Sequence, residues 1–276
     1  MFDLKSTICS VLKQQQSLSE KLEQVSIKIG NFIDKDVYKT WSLKCGWIQS
    51  LNKIIPLLDV RDVAYQNLLI LKRSFDCHSS EPIGNAVPFG GANITASIAT
   101  TLAIDTYLSA CWSVYDCLSN IIGRVVGDEN IRNNPQGRSN PKLVETFLAV
   151  KQGIDVLGSR EILSKSYGQR IGFSYLLRNC YVHEGGMIGG SSILQGETIE
   201  AAFFITKEVA EIINEEISAR YKIPNTTIAK EGDIIDQLGE CHSRLDQMFV
   251  SLLHFMMGTL AVEVEAFAAQ DGFDAL

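Results

Sequence analysis

Residues 97–127 read SIATTLAIDTYLSACWSVYDCLSNIIGRVVG, and this stretch decides the fold. Ile104, Leu108, Cys111, Tyr115, Leu118, Ile122 and Val125 step by four and three, the spacing that lines one face of a helix, with Thr95 placed to cap its start. A second stripe, Asp105, Ser109, Ser113, Asp116 and Asn120, steps in the same way and is polar. Taken alone it reads as a solvent face. Trp112, Leu102 and Ile121 flank it with apolar bulk, however, so Asp116 is expected at the margin of a buried surface and in want of a basic partner.

The same period recurs outward from this helix. Leu4, Ile8, Val11, Gln15, Leu18, Leu22, Val25, Ile29 and Phe32 predict one long amphipathic helix whose seam holds a single polar residue, either a bundle helix or a coiled-coil seam. DVYKTWSLKCGWIQSLNKII (36–55) predicts a second helix ending before Pro56, because the residue ahead of a proline avoids the α region. DVRDVAYQNLLILKRSF (59–75) predicts a third. CHSSEPIGNAVPFGGAN (77–93) is rich in Gly, Pro, Ser and Asn and reads as a connector, placing a boundary between an N-terminal helical region, 1–92, and the remainder, 93–270.

Beyond the polar loop GDENIRNNPQGRSNP, a helix is expected from Pro141 through LVETFLAVKQGIDVL, and another from about Glu161 to His183. GMIGGSSILQGETIEAAFFI (186–205) contains short β-prone runs broken by glycines, and TTIAKEGDIID (226–236) reads as a small hairpin. TKEVAEIINEEISARY (206–221) is a helix between them. A final helix sets Leu238, His242, Leu245, Phe249, Leu252 and Met256 on one seam, where His242 reads as a buried core histidine.

A chain of 276 residues with 46% apolar content buries one large core or about two modest ones. The opening MFDLKSTIC carries an acid and lacks the pattern of a signal peptide, and the longest uncharged apolar run, 247–262, is short for a membrane span. Seven scattered cysteines, with no Cys-x-x-Cys pair, suit reduced thiols in a cytoplasm. Cys77-His78 and Cys241-His242 lack the usual spacing of zinc ligands, so neither metal nor cofactor is expected. The net charge of −7 argues against a general nucleic-acid coat, but it is unevenly spread. Residues 124–178 carry nine Lys/Arg against five Asp/Glu, whereas 184–276 carry five against sixteen.

The candidate chemistry lies in LLRNCYVHEGG (176–186). Ile171, Ser174, Tyr175, Arg178 and Val182 share one face, so Arg178 points where apolar residues point and needs a partner. Asn179 and His183 are an i, i+4 pair, and Gly185 or Gly186 is placed to end the helix in a left-handed cap. Two readings stand side by side. Arg178 and His183 together reach one phosphate, or Arg178 is a structural salt bridge to Asp116 and His183 a donor at the helix end.

Arg178, Asn179 and His183, closing one helix after an earlier long helix containing YDCLSN and followed by two glycines, resemble the HEPN superfamily (higher eukaryotes and prokaryotes nucleotide-binding domain). Its hallmark is Arg, four to six residues, then His, with Asn commonly next to the Arg. The resemblance covers about residues 95–255 and leaves 1–76 as accessory helices. It implies a mainly all-α fold, an antiparallel helical bundle with a small β-hairpin appendage, and metal-independent endoribonuclease activity on RNA in a toxin or defence setting.

On that resemblance His183 serves as acid or base, Arg178 meets the charge of the phosphorane, Asn179 orients His183 or the scissile phosphate, and Asp116 holds Arg178. One copy offers one histidine for two proton transfers, and the family commonly resolves this by homodimerisation. The implied partners are RNA, a second copy, and an antitoxin or nucleotidyltransferase-type protein. Some members carry a tyrosine two residues after the motif histidine that such a partner modifies. Here Gly185 stands there. A catalytically silent HEPN-like interaction or nucleotide-sensing module, and an unrelated helical scaffold, remain open at this stage.

Overall fold

The computed structural model describes residues 3–29, 35–77, 86–89, 92–126, 160–183, 204–221 and 225–270. The described chain is mainly helical: α1 (Leu4–Ile29), α2 (Lys35–Gln49), a 3-10 turn (Ser50–Lys53), α3 (Ile54–Cys77), α4 (Ala96–Val126), α5 (Arg160–His183), α6 (Lys207–Tyr221) and α7 (Ile234–Gln270). Two short antiparallel pairs accompany them, β1 (Ala86–Phe89) with β2 (Ala92–Thr95), and β3 (Phe204–Ile205) with β4 (Gly232–Asp233). The helix expected from Pro141 and the runs between 187 and 203 lie outside the described residues.

The chain divides into two compact units, each built from separate stretches. The first comprises Met1–Pro56, Tyr115–Gly158 and Asp246–Leu276; the second comprises Leu57–Val114 and Ser159–Leu245. The two long helices α4 and α7 therefore contribute to both.

In the first unit, α1 buries Leu4, Ile8, Val11 and Leu22, the seam its four-and-three spacing predicts. Gln15, the one polar residue in that seam, is also buried and gives its amide to Ser19 Oγ at 2.9 Å, which satisfies a group that is otherwise costly to enclose. Tyr115 stacks on Phe249 with ring centroids 5.2 Å apart, and its hydroxyl donates to Asp246 at 3.0 Å. Buried Lys44 donates to both carboxylate oxygens of Glu263 at 2.7 Å.

In the second unit, α4 buries Ile104, Leu108 and Cys111, and α7 buries Leu238, His242 and Leu245. The continuing seams of both helices, Leu118, Ile122 and Val125 and then Phe249, Leu252 and Met256, are buried in the first unit. Each Leu-sized side chain so enclosed contributes about 1.5–3 kcal/mol. Helix α5 packs against α6. Asp233 begins α7 by accepting from the backbone of Ile235 at 2.7 Å and of Asp236 at 3.0 Å, while its other oxygen pairs with Lys72 of α3 at 2.9 Å. Gly239 admits Tyr65 so closely that an added Cβ would lie 2.6 Å from the phenolic oxygen.

Three local expectations are corrected. Pro56 does not follow a helix end: α2 stops at Gln49, a 3-10 turn intervenes, and α3 starts at Ile54. Pro56 thus sits in the first turn of α3, where its missing N–H leaves no intrahelical bond unmade. The stretch read as a connector contains the β1–β2 ribbon, registered Val87 to Ile94 and Pro88 to Asn93; a two-stranded ribbon consists of edges, so a proline is tolerated in it. TTIAKEGDIID does not fold back on itself. Its Gly232, at φ +133°, a conformation that L side chains rarely adopt, pairs instead with Ile205.

Helix α7 is long and apolar enough over Ile234–Ala268 to cross a bilayer by length and composition, and half of its most apolar window is buried inside the protein. Core helices meet the same description.

Candidate functional site

Helix α5 carries three of the four expected site residues. Around its last turns Ile171, Phe173, Ser174, Leu176 and Leu177 are buried, while Tyr175, Arg178 and Asn179 are half-buried. Arg178 thus stands at the margin of the core, as its place on an apolar face implies. Its guanidinium carbon lies 6.0 Å from the centroid of the Tyr175 ring, one turn earlier, within cation–π range. Its Nε is buried and makes no hydrogen bond among the described residues. A buried donor left without a partner costs about 1–3 kcal/mol, so the side chain carries unspent binding capacity.

His183 is the last residue of α5. The backbone places Asn179 and His183 one turn apart and Arg178 roughly 140° around the helix from His183. The imidazole itself and Gly185–Gly186 lie outside the described side chains. Asp116 is half-buried on α4 and belongs to the first unit, whereas Arg178 belongs to the second. Burial, and then the Asp116 charge, raise the neighbouring Cys117 thiol above its usual range. The rest of the polar stripe is mostly half-buried, with Ser109 donating to Asp105 at 3.1 Å and Ser113 exposed.

What the sequence did not disclose is a polar network inside the second unit, assembled from three helices. Ser174 of α5, wholly buried, accepts the indole N–H of Trp112 of α4 at 3.0 Å and lies 2.8 Å from His242 Nε2 of α7. On the other side of the imidazole, Nδ1 lies 2.7 Å from the Tyr107 hydroxyl and 3.4 Å from Cys111 Sγ. The indole only donates, so Ser174 is left with its own proton for Nε2. Nδ1 then carries the ring proton toward Tyr107, an assignment made from the bonding pattern.

Burial, with the Arg61 charge adding to it, pushes His242 down to about 3, so the ring is neutral. Burial first, then Cys111, pushes Tyr107 well above its ordinary range. A faint signal existed in the sequence: Ser174, Cys111 and His242 are hydrogen-bonding residues on otherwise apolar faces. Nothing local showed that these faces meet.

Cys241 and His242 are committed to such structural bonds. The Cys241 thiol, pushed up to about 12 mainly by burial, donates to the Arg170 carbonyl at 3.3 Å. Cys77 and His78 lie outside the described side chains. Among the described residues no three His, Cys, Asp or Glu side chains converge as metal ligands. A cavity of about 530 Å³ occurs in the first unit, lined by residues that include Gln15, Gln16, Ser19, Cys45 and Gln49. None of the expected site residues lines it.

No known protein family, curated protein or solved structure matches this chain.

Proposed function

We propose that the protein is a metal-independent endoribonuclease of HEPN type, acting in the cytoplasm as a toxin or in defence. The observation that carries this reading is Arg178: half-buried, stacked on Tyr175 and holding a buried Nε without a hydrogen-bond partner, it stands with Asn179 on the helix that ends at His183. A helical chain with short β pairs is compatible with a HEPN bundle and its β appendage.

The chemistry follows from the residue types. His183 takes the proton of the ribose 2′-hydroxyl or returns one to the leaving 5′-oxygen, since imidazole titrates closest to neutrality. The pentacoordinate phosphorane gathers negative charge, and the planar guanidinium of Arg178 meets two of its oxygens at once. Asn179, one turn before His183, orients the imidazole or the phosphate. Two proton transfers require two histidines, so the active form is a homodimer that brings two 178–183 segments to one cleft. An antitoxin-type partner would hold the activity in check, and Gly185 stands where some family members carry the tyrosine that a nucleotidyltransferase partner modifies.

The test is cleavage of an RNA oligonucleotide by the pure protein in excess EDTA. The expected products end in a 2′,3′-cyclic phosphate, and a substrate with 2′-deoxyribose at the scissile position resists. Intact RNA after incubation of the pure dimer would instead leave a silent interaction module.

A further inference from the structure

We infer that Trp112, Ser174 and His242 form a clamp that positions the Arg178 guanidinium by holding the last turns of α5 in one rotational setting. The inference rests on the reading of Arg178 as an active-site residue, but its structural half stands apart from any activity.

Trp112 grips two consecutive residues of α5 in different ways. Its indole N–H donates to Ser174 Oγ at 3.0 Å, and its ring meets Tyr175 edge to face at 5.0 Å and 70°. Ser174 and Tyr175 precede Arg178 by four and three residues, so all three lie on one face of the helix. Tyr175 in turn carries the guanidinium, 6.0 Å from its ring. From the opposite side His242 Nε2 lies 2.8 Å from the same serine oxygen, and Tyr107 closes on Nδ1 at 2.7 Å. A turn of α5 by one residue would swing its side chains by about 100° and break both Trp112 contacts together.

Apolar side chains alone would fill this space and tolerate sliding. A serine, an indole N–H and a neutral imidazole tolerate none, because each buried polar atom is satisfied in one arrangement only. Arg178 makes no hydrogen bond at Nε among the described residues, so at that atom its direction is set by the ring beneath it. Tyr175 passes the clamp's position on to the guanidinium. Trp112, Ser174 and His242 are accordingly positioning residues, and none of them touches substrate.

The experiment follows the Nε–H resonance of Arg178 in the full chain labelled with nitrogen-15, assigned by its loss in Arg178→Lys. In folded Trp112→Phe and Ser174→Ala, checked by circular dichroism, the resonance should shift and its hydrogen exchange quicken by about tenfold or more. In Ser174→Thr, which keeps the hydroxyl, both should return toward the wild-type values. For RNA cleavage, kcat should fall about tenfold in Trp112→Phe with KM little changed.

An Arg178 resonance and exchange rate unchanged in Trp112→Phe and Ser174→Ala would overturn the clamp. Should Ser174→Ala fail to fold, Trp112→Phe alone decides, since it removes the N–H and keeps an aromatic, if smaller, ring. The two readings fail separately. Wild-type protein that leaves RNA intact sinks the nuclease, while the resonance still judges the clamp. RNA cleavage dependent on His183, with kcat unchanged in Trp112→Phe, sinks the clamp and spares the nuclease.

Discussion

Ser174 and Arg178 stand one turn apart on α5, and their surroundings treat them in opposite ways. Ser174 is wholly buried with partners on both sides, Trp112 donating to it and His242 within hydrogen-bond distance. Arg178 is half-buried, rests on a ring, and keeps a buried Nε without a partner. A polar group whose bonds are all made inside the protein has nothing left to offer a ligand, and its cost and benefit are felt in stability. A charged group with bonds unmade costs stability in the free protein and gains it back on binding.

The largest effect expected on the structural side is from His242→Ala. Removing the imidazole leaves a cavity and strips Ser174 and Tyr107 of a partner, so denaturant unfolding should show a loss of about 3–5 kcal/mol. His242→Leu, which refills the space, should cost less than half as much. An equal cost for both would mean that the hydrogen bonds rather than the volume dominate.

Acid comes next. His242 has a folded pKa of about 3 against about 6.5 unfolded, so the unfolded chain binds the proton more readily. Stability from this residue is whole above about pH 6.5 and is lost as pH falls toward 3. Each pH unit in that window costs up to about 1.4 kcal/mol, or about 2–3 kcal/mol at pH 4.5. The groups that face the ring include Ser174, Tyr107 and Cys111, with the Arg61 charge opposing protonation further. Unfolding measured from pH 7 to 4.5 in wild type and His242→Leu checks this, since the leucine variant should lose that part of the slope.

Asp233→Ala should cost about 1–2 kcal/mol, because the carboxylate caps α7 and also pairs with Lys72. Thermal unfolding reads it. The smallest loss of stability is expected on the other side of the comparison: Arg178→Lys, which removes the unpartnered Nε–H, should leave the fold no less stable while abolishing most RNA cleavage, as an ammonium does not reproduce the guanidinium fork. A large loss of stability in that variant would move Arg178 to the structural side with Ser174.

The parts of this fold legible in the sequence are those in which one helix reports its own burial. The seams of α1, α4 and α7 are buried at Leu4, Ile8, Ile104, Leu108, Leu238 and Phe249, because a four-and-three spacing is a property of each segment alone. The β1–β2 ribbon was hidden by the turn-forming composition of 77–93, and β3–β4 by the 26 residues between its strands, since pairing at that distance leaves no local pattern. Pro56 is ambiguous in the sequence because a proline that ends one helix is equally at home in the first turn of the next. In the candidate site, the apolar face of α5 on which Arg178 lies was legible, but its half-exposed setting was not. The clamp was not, because Trp112, Ser174 and His242 come from three helices and each looks ordinary in its own.

The central claim, that the end of α5 is an RNA-cleaving site, is tested most directly by the cleavage rate of His183→Ala beside the wild type in excess EDTA. The account predicts that the wild type cuts RNA to 2′,3′-cyclic phosphate ends and that the variant is slower by about 10²-fold or more at unchanged stability. Cleavage that continues at the wild-type rate in His183→Ala would contradict it.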